Sequence, residues 1–187
     1  MNATKNISFD TSKALKCDLV KKARAYSMHC HSSTNHLYDG KPYYVNHILP
    51  VVSYVIEFNH LLNSQEDFEL AIASAFTHDI IEDCRETYND VKNATSLEVA
   101  EITYALTNEK GKTRKERASD SYYDGIVNTH LAGFIKMCDR LANVYYSQTN
   151  KSRMIEMYRK ENDDFVSKLQ SIGYKPMFEE LEKLLST

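Results

Sequence analysis

Between Asp67 and Asp83 the chain runs through Ala71, Ile72, Ala73, Ala75, Phe76, Ile80 and Ile81 with so few polar interruptions that a helix built from it is apolar on nearly every side. Such a helix belongs inside a larger set of helices, because each of its faces needs an apolar partner. The same run ends in Thr77-His78-Asp79-Ile80-Ile81-Glu82-Asp83, which puts an imidazole and three carboxylates where burial is costly. Glu82 stands four residues after His78 and Asp83 four after Asp79, so on a continuous helix these groups converge on one edge. A bound metal ion satisfies all of them; a helix end emerging into solvent accounts equally for the spacing.

The remaining segments also read as helices. Thr11 or Ser12 can cap a first helix that carries Leu15, Leu19, Ala23 and Tyr26 at helical spacing and ends near His31. Ser32 to Pro42 is rich in turn formers, Asp39-Gly40 above all, and leads into a second helix through Asn46 to Phe58 with Pro50 in its first turn. Thr95 with Glu98 resembles a capping box for a helix through Leu97, Ile102 and Leu106, followed by a polar exit from Thr107 to Thr113. Further helical patterns cover Arg114 to Val127, Leu131 to Tyr146, Arg153 to Leu169 and Met177 to Leu185, with Gly173 and Pro176 separating the last two. No segment alternates with period two, and 5 Gly and 3 Pro are too few to punctuate a sandwich or barrel of short strands. The expectation is an all-α, single-domain helical bundle over residues 1–187, with seven or more helices.

Charge and cysteine usage narrow the partners. A net charge of -3 from 23 basic and 26 acidic residues gives no overall attraction to nucleic acid or to an anionic membrane, so any anion site is local. Met1 to Asp10 is polar and lacks the apolar stretch of a signal peptide, and Ile48 to Phe58, the most apolar run, is too short and too interrupted to span a bilayer. Cys17, Cys30, Cys84 and Cys138 are widely spaced with no C-x-x-C pair, which suits reduced thiols in a cytoplasm. A cytoplasmic protein acting on a small molecule is expected. Tyr145, Tyr146, Tyr158 and Phe165 fit core packing or a contact between copies.

Two other helical segments repeat the pattern of a charge in an apolar frame. Asp139 sits in Phe134-Ile135-Lys136-Met137-Cys138-Asp139-Arg140-Leu141-Ala142-Asn143, and His47 in the second helix. Two imidazoles and two carboxylates make a mixed nitrogen and oxygen donor set, which suits Mn²⁺, Fe²⁺, Co²⁺ or Zn²⁺ better than Ca²⁺. Taken singly, each is also readable as a hydrogen-bonded core group. In order, Gly40-Lys41-Pro42-Tyr43, His47, His78-Asp79, Glu82-Asp83 and Asp139-Arg140-Leu141-Ala142-Asn143 resemble the HD-domain phosphohydrolases. Within that family they are most similar to the hydrolase domain of the bifunctional alarmone synthetase/hydrolases and to the small stand-alone alarmone hydrolases. The resemblance covers about residues 23–147, which leaves residues 152–187 for closing helices and no room for a synthetase domain in this chain.

That resemblance implies that His47, His78, Asp79 and Asp139 hold one divalent ion, Mn²⁺, while Glu82 and Asp83 handle the attacking water. The chemistry is coherent, since a divalent ion acidifies water and neutralises phosphate oxygens while a nearby carboxylate takes the proton. His130 is the only histidine between Asp79 and Asp139, so one ion is expected rather than two. Asn143 contacts the nucleotide or braces the site. Lys110 to Arg117 matches a basic segment beside the pocket of those enzymes, and Lys112 and Arg114 are the candidates there for a second phosphate; a solvated helix start is the competing reading. Where the family carries basic residues near the purine this chain has His36 and Tyr38, either of which can stack on a base, and Tyr43 stands with His36 at the substrate. Tyr43-Tyr44-Val45-Asn46-His47 is one residue longer than the family spacing. The implied reaction is hydrolysis of a nucleotide 3′-pyrophosphate, on guanosine or adenosine, with release of pyrophosphate. The alternatives are a nucleotide phosphomonoesterase (a nucleotidase or an NADPH phosphatase), a nucleotide-binding module without turnover, and a structural protein without metal.

Overall fold

A computed structural model describes residues 8–186, and these form an all-α bundle. Residues 1–7 of the polar N-terminal segment lie outside the described part. The helices in chain order are α1 (Thr11–Lys16), α2 (Asp18–Ser33), α3 (Leu49–Glu57), α4 (Gln65–Thr77), α5 (Ile80–Asp83), α6 (Tyr88–Ala94), α7 (Leu97–Leu106), α8 (Arg114–Arg117), α9 (Asp120–Asn128), α10 (Ala132–Thr149), α11 (Met154–Leu169) and α12 (Lys175–Ser186). One turn of π-helix, Tyr44–Ile48, runs directly into α3. Among the described residues no helix is long and apolar enough to cross a membrane.

The core is organised by α4 and α10. Every residue of α4 from Ala71 to Thr77 is buried, and α2, α3 and α7 all pack on it. Alanines at 71, 73 and 75 keep that helix thin enough for neighbours to close on several sides, while Phe68 and Ile72 supply the volume. The buried Thr77 and Thr103 hydroxyls lie 2.7 Å apart and join α4 to α7, while the equally buried Ser74 hydroxyl has no hydrogen-bond partner among the described residues. The second buried helix, α10, packs against α3, α4, α7, α9, α11 and α12 and buries Phe134, Ile135, Met137, Cys138 and Leu141 completely. His78, just after the end of α4, and Asp139, in the middle of α10, come within 4.0 Å of each other.

Several boundaries differ from the sequence reading, each for a local reason. The first helical segment is split at Cys17, whose ψ of 138° is extended; the Asp10 side chain caps α1 in place of Thr11 or Ser12, and Asp18 in the first turn restarts the helix as α2. The reciprocal capping box lies at Thr87 and Asp90 and opens α6, a helix the periodicity does not reveal, while α7 is capped by Ser96 and not Thr95. Arg114 to Val127 is two helices because Ser119 caps Tyr122 and starts α9 afresh. The central helix stops at Thr77 and resumes at Ile80.

Ser32 to Pro42 contains the only strands among the described residues, β1 (Leu37–Tyr38) and β2 (Lys41–Pro42), paired antiparallel. Asp39 and Gly40 have φ of 52° and 75°, the pair of left-handed residues that a two-residue hairpin turn of type I′ requires. A Cβ at Gly40 or at Gly125 of α9 meets no atom within 4 Å, so alanine at either position tests backbone preference alone. Gly40→Ala is expected to destabilise the protein by about 1–2 kcal/mol, the cost of an L-residue in the left-handed region. Gly125→Ala is expected to stabilise it by about 1 kcal/mol through helix propensity. Urea unfolding of both variants checks the opposite signs.

Candidate metal centre

His47 reaches the interior from the π-helical turn. One residue more than an α-turn holds is accommodated there, so Tyr43 faces the site while Tyr44 stacks on Phe76 with ring centroids 6.3 Å apart. His78 and Asp79 occupy the break between α4 and α5, and Asp79 sits at φ -105° and ψ 0°, the bridge region in which active-site residues recur. Asp83 still closes a backbone bond to the Asp79 carbonyl at 2.8 Å, so Glu82 and Asp83 keep helical placement beyond the break. Asp139 comes from the middle of α10.

These segments bring side-chain nitrogen and oxygen atoms of four residues close together. His47 Nε2 lies 3.2 Å from His78 Nε2, 3.2 Å from Asp79 Oδ2 and 3.4 Å from Asp139 Oδ1. His78 Nε2 is 2.9 Å from Asp79 Oδ2 and 4.0 Å from Asp139 Oδ1. The tightest set, His47, His78 and Asp139, has all ligand atoms within 4.8 Å of one another and could hold a metal ion. Asp79 is not part of that set, although its Oδ2 lies 3.2 Å and 2.9 Å from the two imidazole nitrogens.

The surroundings prepare the donors for a cation. His78 Nδ1 lies 2.9 Å from the Ala75 carbonyl, which can only accept, so Nδ1 carries a proton and Nε2 is the nitrogen that faces the cluster, open to either a second proton or a cation. The Tyr43 hydroxyl donates to Asp79 Oδ2 at 2.6 Å. Asn143 Nδ2 donates to Asp139 Oδ1 at 2.5 Å, and Lys136 Nζ pairs with Asp139 Oδ2 at 3.1 Å. Burial opposes charge on both carboxylates, yet it is overcome: Asp79 is held well below the usual carboxylate range by His78 and His47, and Asp139 is lowered by Lys136 and the same imidazoles. Burial by itself lowers His78, but Asp79 and Asp139 outweigh it and raise the imidazole to about 9. The two carboxylates therefore demand positive charge at this point, which a proton supplies on the imidazole or a divalent ion supplies between the four side chains.

A cavity of about 650 Å³ opens over the cluster. Glu82 and Asp83 lie on its floor beside the ligands; both Glu82 oxygens accept from Asn108 Nδ2 at 2.9 Å, and burial together with the charges of Asp79 and Glu82 pushes Asp83 up to about 7. Arg114, Arg117, Lys136, Arg140 and Lys160 also line it. Arg114 pairs with Glu161 at 2.9 Å, and Arg140 lies over the Phe165 ring at 4.1 Å.

Of the residues singled out in the sequence, His36, Tyr43, His47, His78, Asp79, Glu82, Asp83, Arg114, Asp139 and Asn143 line this cavity. Lys112 does not; its side chain is exposed, and its backbone amide bonds Glu116 at 2.8 Å. Tyr43 has its hydroxyl committed to Asp79, and His36 stacks on the Tyr43 ring at 3.8 Å. Asn143 braces Asp139. Asn108 and Arg140 were legible only as a polar loop residue and as the neighbour of Asp139; nothing in the spacing marks them. Compared with known proteins, the chain matches no family pattern and no curated protein.

Two outcomes follow. Mn²⁺ at about a hundred times its dissociation constant is expected to stabilise the fold by about 2.7 kcal/mol. EDTA reverses the gain and His47→Ala abolishes it, both read by thermal melting; identical curves with and without metal exclude an ion held by these side chains. The second concerns His31, which is buried under Tyr43 and which burial lowers to about 4. Its folded value lies below its unfolded one, so the neutral ring's contribution is complete above about 6.5 and is lost as the pH falls toward 4. The loss is about 3 kcal/mol, and His31→Phe should flatten stability over that window in unfolding titrations.

Proposed function

We propose that this protein is an HD-type phosphohydrolase that uses one divalent ion, Mn²⁺, to hydrolyse a nucleotide 3′-pyrophosphate in the cytoplasm. The observation that carries the reading is the convergence of His47, His78, Asp79 and Asp139 beneath a cavity whose floor carries Glu82 and Asp83. An ion there supplies electrophilic activation of phosphate and of water. The ordered resemblance from Gly40 to Asn143 supports the same assignment.

The cavity volume is within the range of small-molecule sites and takes a nucleotide. Arg114, Arg117 and Lys160 line the same cavity as the His/Asp cluster, so a substrate with two separated phosphate groups would place one at that cluster and the other toward these cations, Arg114 exchanging its pairing with Glu161. Glu82, oriented by Asn108, is placed to take a proton from the attacking water, and Asp83 lies next to it. Water adds to the phosphorus attached to the ribose 3′ oxygen, the bond from that phosphorus to the 3′ oxygen breaks, and the proton ends on the ribose hydroxyl. Pyrophosphate and the 3′-hydroxyl nucleotide are the products. His36, stacked on Tyr43 at the cavity edge, offers a surface for the base.

Incubation with Mn²⁺ and guanosine or adenosine 3′-pyrophosphates, resolved by anion exchange, is expected to give EDTA-sensitive pyrophosphate. Glu82→Ala should lower kcat about 10²- to 10⁴-fold, the range of a lost general base. Full turnover in that variant would remove Glu82 from the reaction. Orthophosphate from a monophosphate or from NADPH would assign the same metal cluster to a phosphomonoesterase.

A further inference from the structure

The β1–β2 hairpin carries one side chain that touches the supports of two ligands at once. Tyr38 lies with its ring stacked on His47, centroids 5.2 Å apart and planes within 18°, and its hydroxyl donates to Asn143 Oδ1 at 2.6 Å. The direction of this chain of bonds is fixed by chemistry. The Asp139 carboxylate can only accept, so the Asn143 amide nitrogen must face it; the amide oxygen then faces Tyr38, and the phenol must donate. Asp139 Oδ1 is the oxygen aimed at His47 and His78, while Oδ2 is tied to Lys136.

The geometry points to Tyr38 as a positioning residue that sets metal affinity, by orienting Asn143 against Asp139 and by fixing the plane of the His47 ring. The inference rests on the metal-centre reading above and adds to it a residue that contacts no ligand atom through a polar group. Supports of this kind typically change metal affinity 10–100-fold when removed, because they hold a ligand in the one rotamer that coordinates. The hairpin is tied to α10 a second time, through Tyr146, whose hydroxyl donates to Asp39 Oδ2 at 3.1 Å. That hydrogen bond reaches no ligand support, and Tyr146→Phe keeps the edge-on contact of the Tyr146 ring with Tyr38 at 4.8 Å, so the variant separates loosening of the hairpin from loss of the Tyr38 hydroxyl.

The test is a titration of the metal-free, full-length protein with Mn²⁺ by calorimetry and with Co²⁺ by visible absorption. Tyr38→Phe, which keeps the ring, is expected to weaken Mn²⁺ about 10- to 100-fold, to shift the Co²⁺ bands and to leave the metal-free melting temperature unchanged. Tyr146→Phe should keep the wild-type affinity and spectrum. Asn143→Ala should lose affinity, and adding Tyr38→Phe to it should cost nothing further, because both act on one path. Equal Mn²⁺ affinity and equal Co²⁺ spectra in wild type and Tyr38→Phe overturn the role of Tyr38 and leave the metal centre standing. An equal loss in Tyr146→Phe, or a lower metal-free melting temperature in Tyr38→Phe, makes the contact a structural tie and overturns it too. A wild-type protein that binds neither ion removes the metal centre and this role together.

Discussion

Two carboxylates that both lie within 3.4 Å of the same imidazole inside a helical core are an electrostatic problem, and the surrounding fold is arranged around its solution. Asp79 and Asp139 are ionised although burial opposes it, so the cluster is stable only with compensating positive charge. Part of that charge is permanent, in Lys136 at 3.1 Å from Asp139. The rest has to be a proton on imidazole or a bound cation. Everything that immobilises the four side chains, from the Ala75 carbonyl behind His78 to the Tyr43 hydroxyl on Asp79, raises the advantage of the cation, because a fixed cage gains more from a multivalent ion than from a single proton.

The bundle itself was legible because its two central helices are extreme. A helix with alanines at 71, 73 and 75 and aromatic or branched neighbours has no polar face to offer water, and α4 is accordingly buried along its second half. The same contrast made His78, Asp79 and Asp139 conspicuous, since a charge in such a frame needs a reason. What spacing did not reveal were features made by backbone detail. The stop at His78 and Asp79 follows from Asp79 taking a bridge conformation, to which periodicity is blind. α6 is short and largely polar, and its start is written in the Thr87–Asp90 pair, whereas the sequence offers Thr95 and Glu98 as a capping box one helix later.

The site was legible in its ligands and less so in its supports, for a related reason. Ligands are ionisable residues in apolar surroundings, a mismatch that a sequence displays. Supports such as Asn108 or the Tyr38 hydroxyl are ordinary polar groups in a loop and a hairpin, and only the fold shows what they touch. Lys112 and Arg114 belong to one basic stretch, but Thr113 caps α8 and splits them, with Arg114 over the cavity and Lys112 outside its lining. A charge run marks a region of the surface; which member matters is decided by a helix start.

The π-helical turn at Tyr44–Ile48 sets the register of what precedes α3. In an α-helix each residue advances about 100°, so an extra residue ahead of α3 would normally turn all that precedes it by that angle relative to the core. Here the surplus is taken up within a single widened turn, and α3 continues with Val51, Val52 and Val55 buried as the core requires. An insertion of this kind is nearly silent for packing, yet it decides which of two adjacent tyrosines meets Asp79 and which meets Phe76. The identity of the aromatic side chain beside Asp79 is thus set by one backbone turn and not by the packing of the bundle beneath.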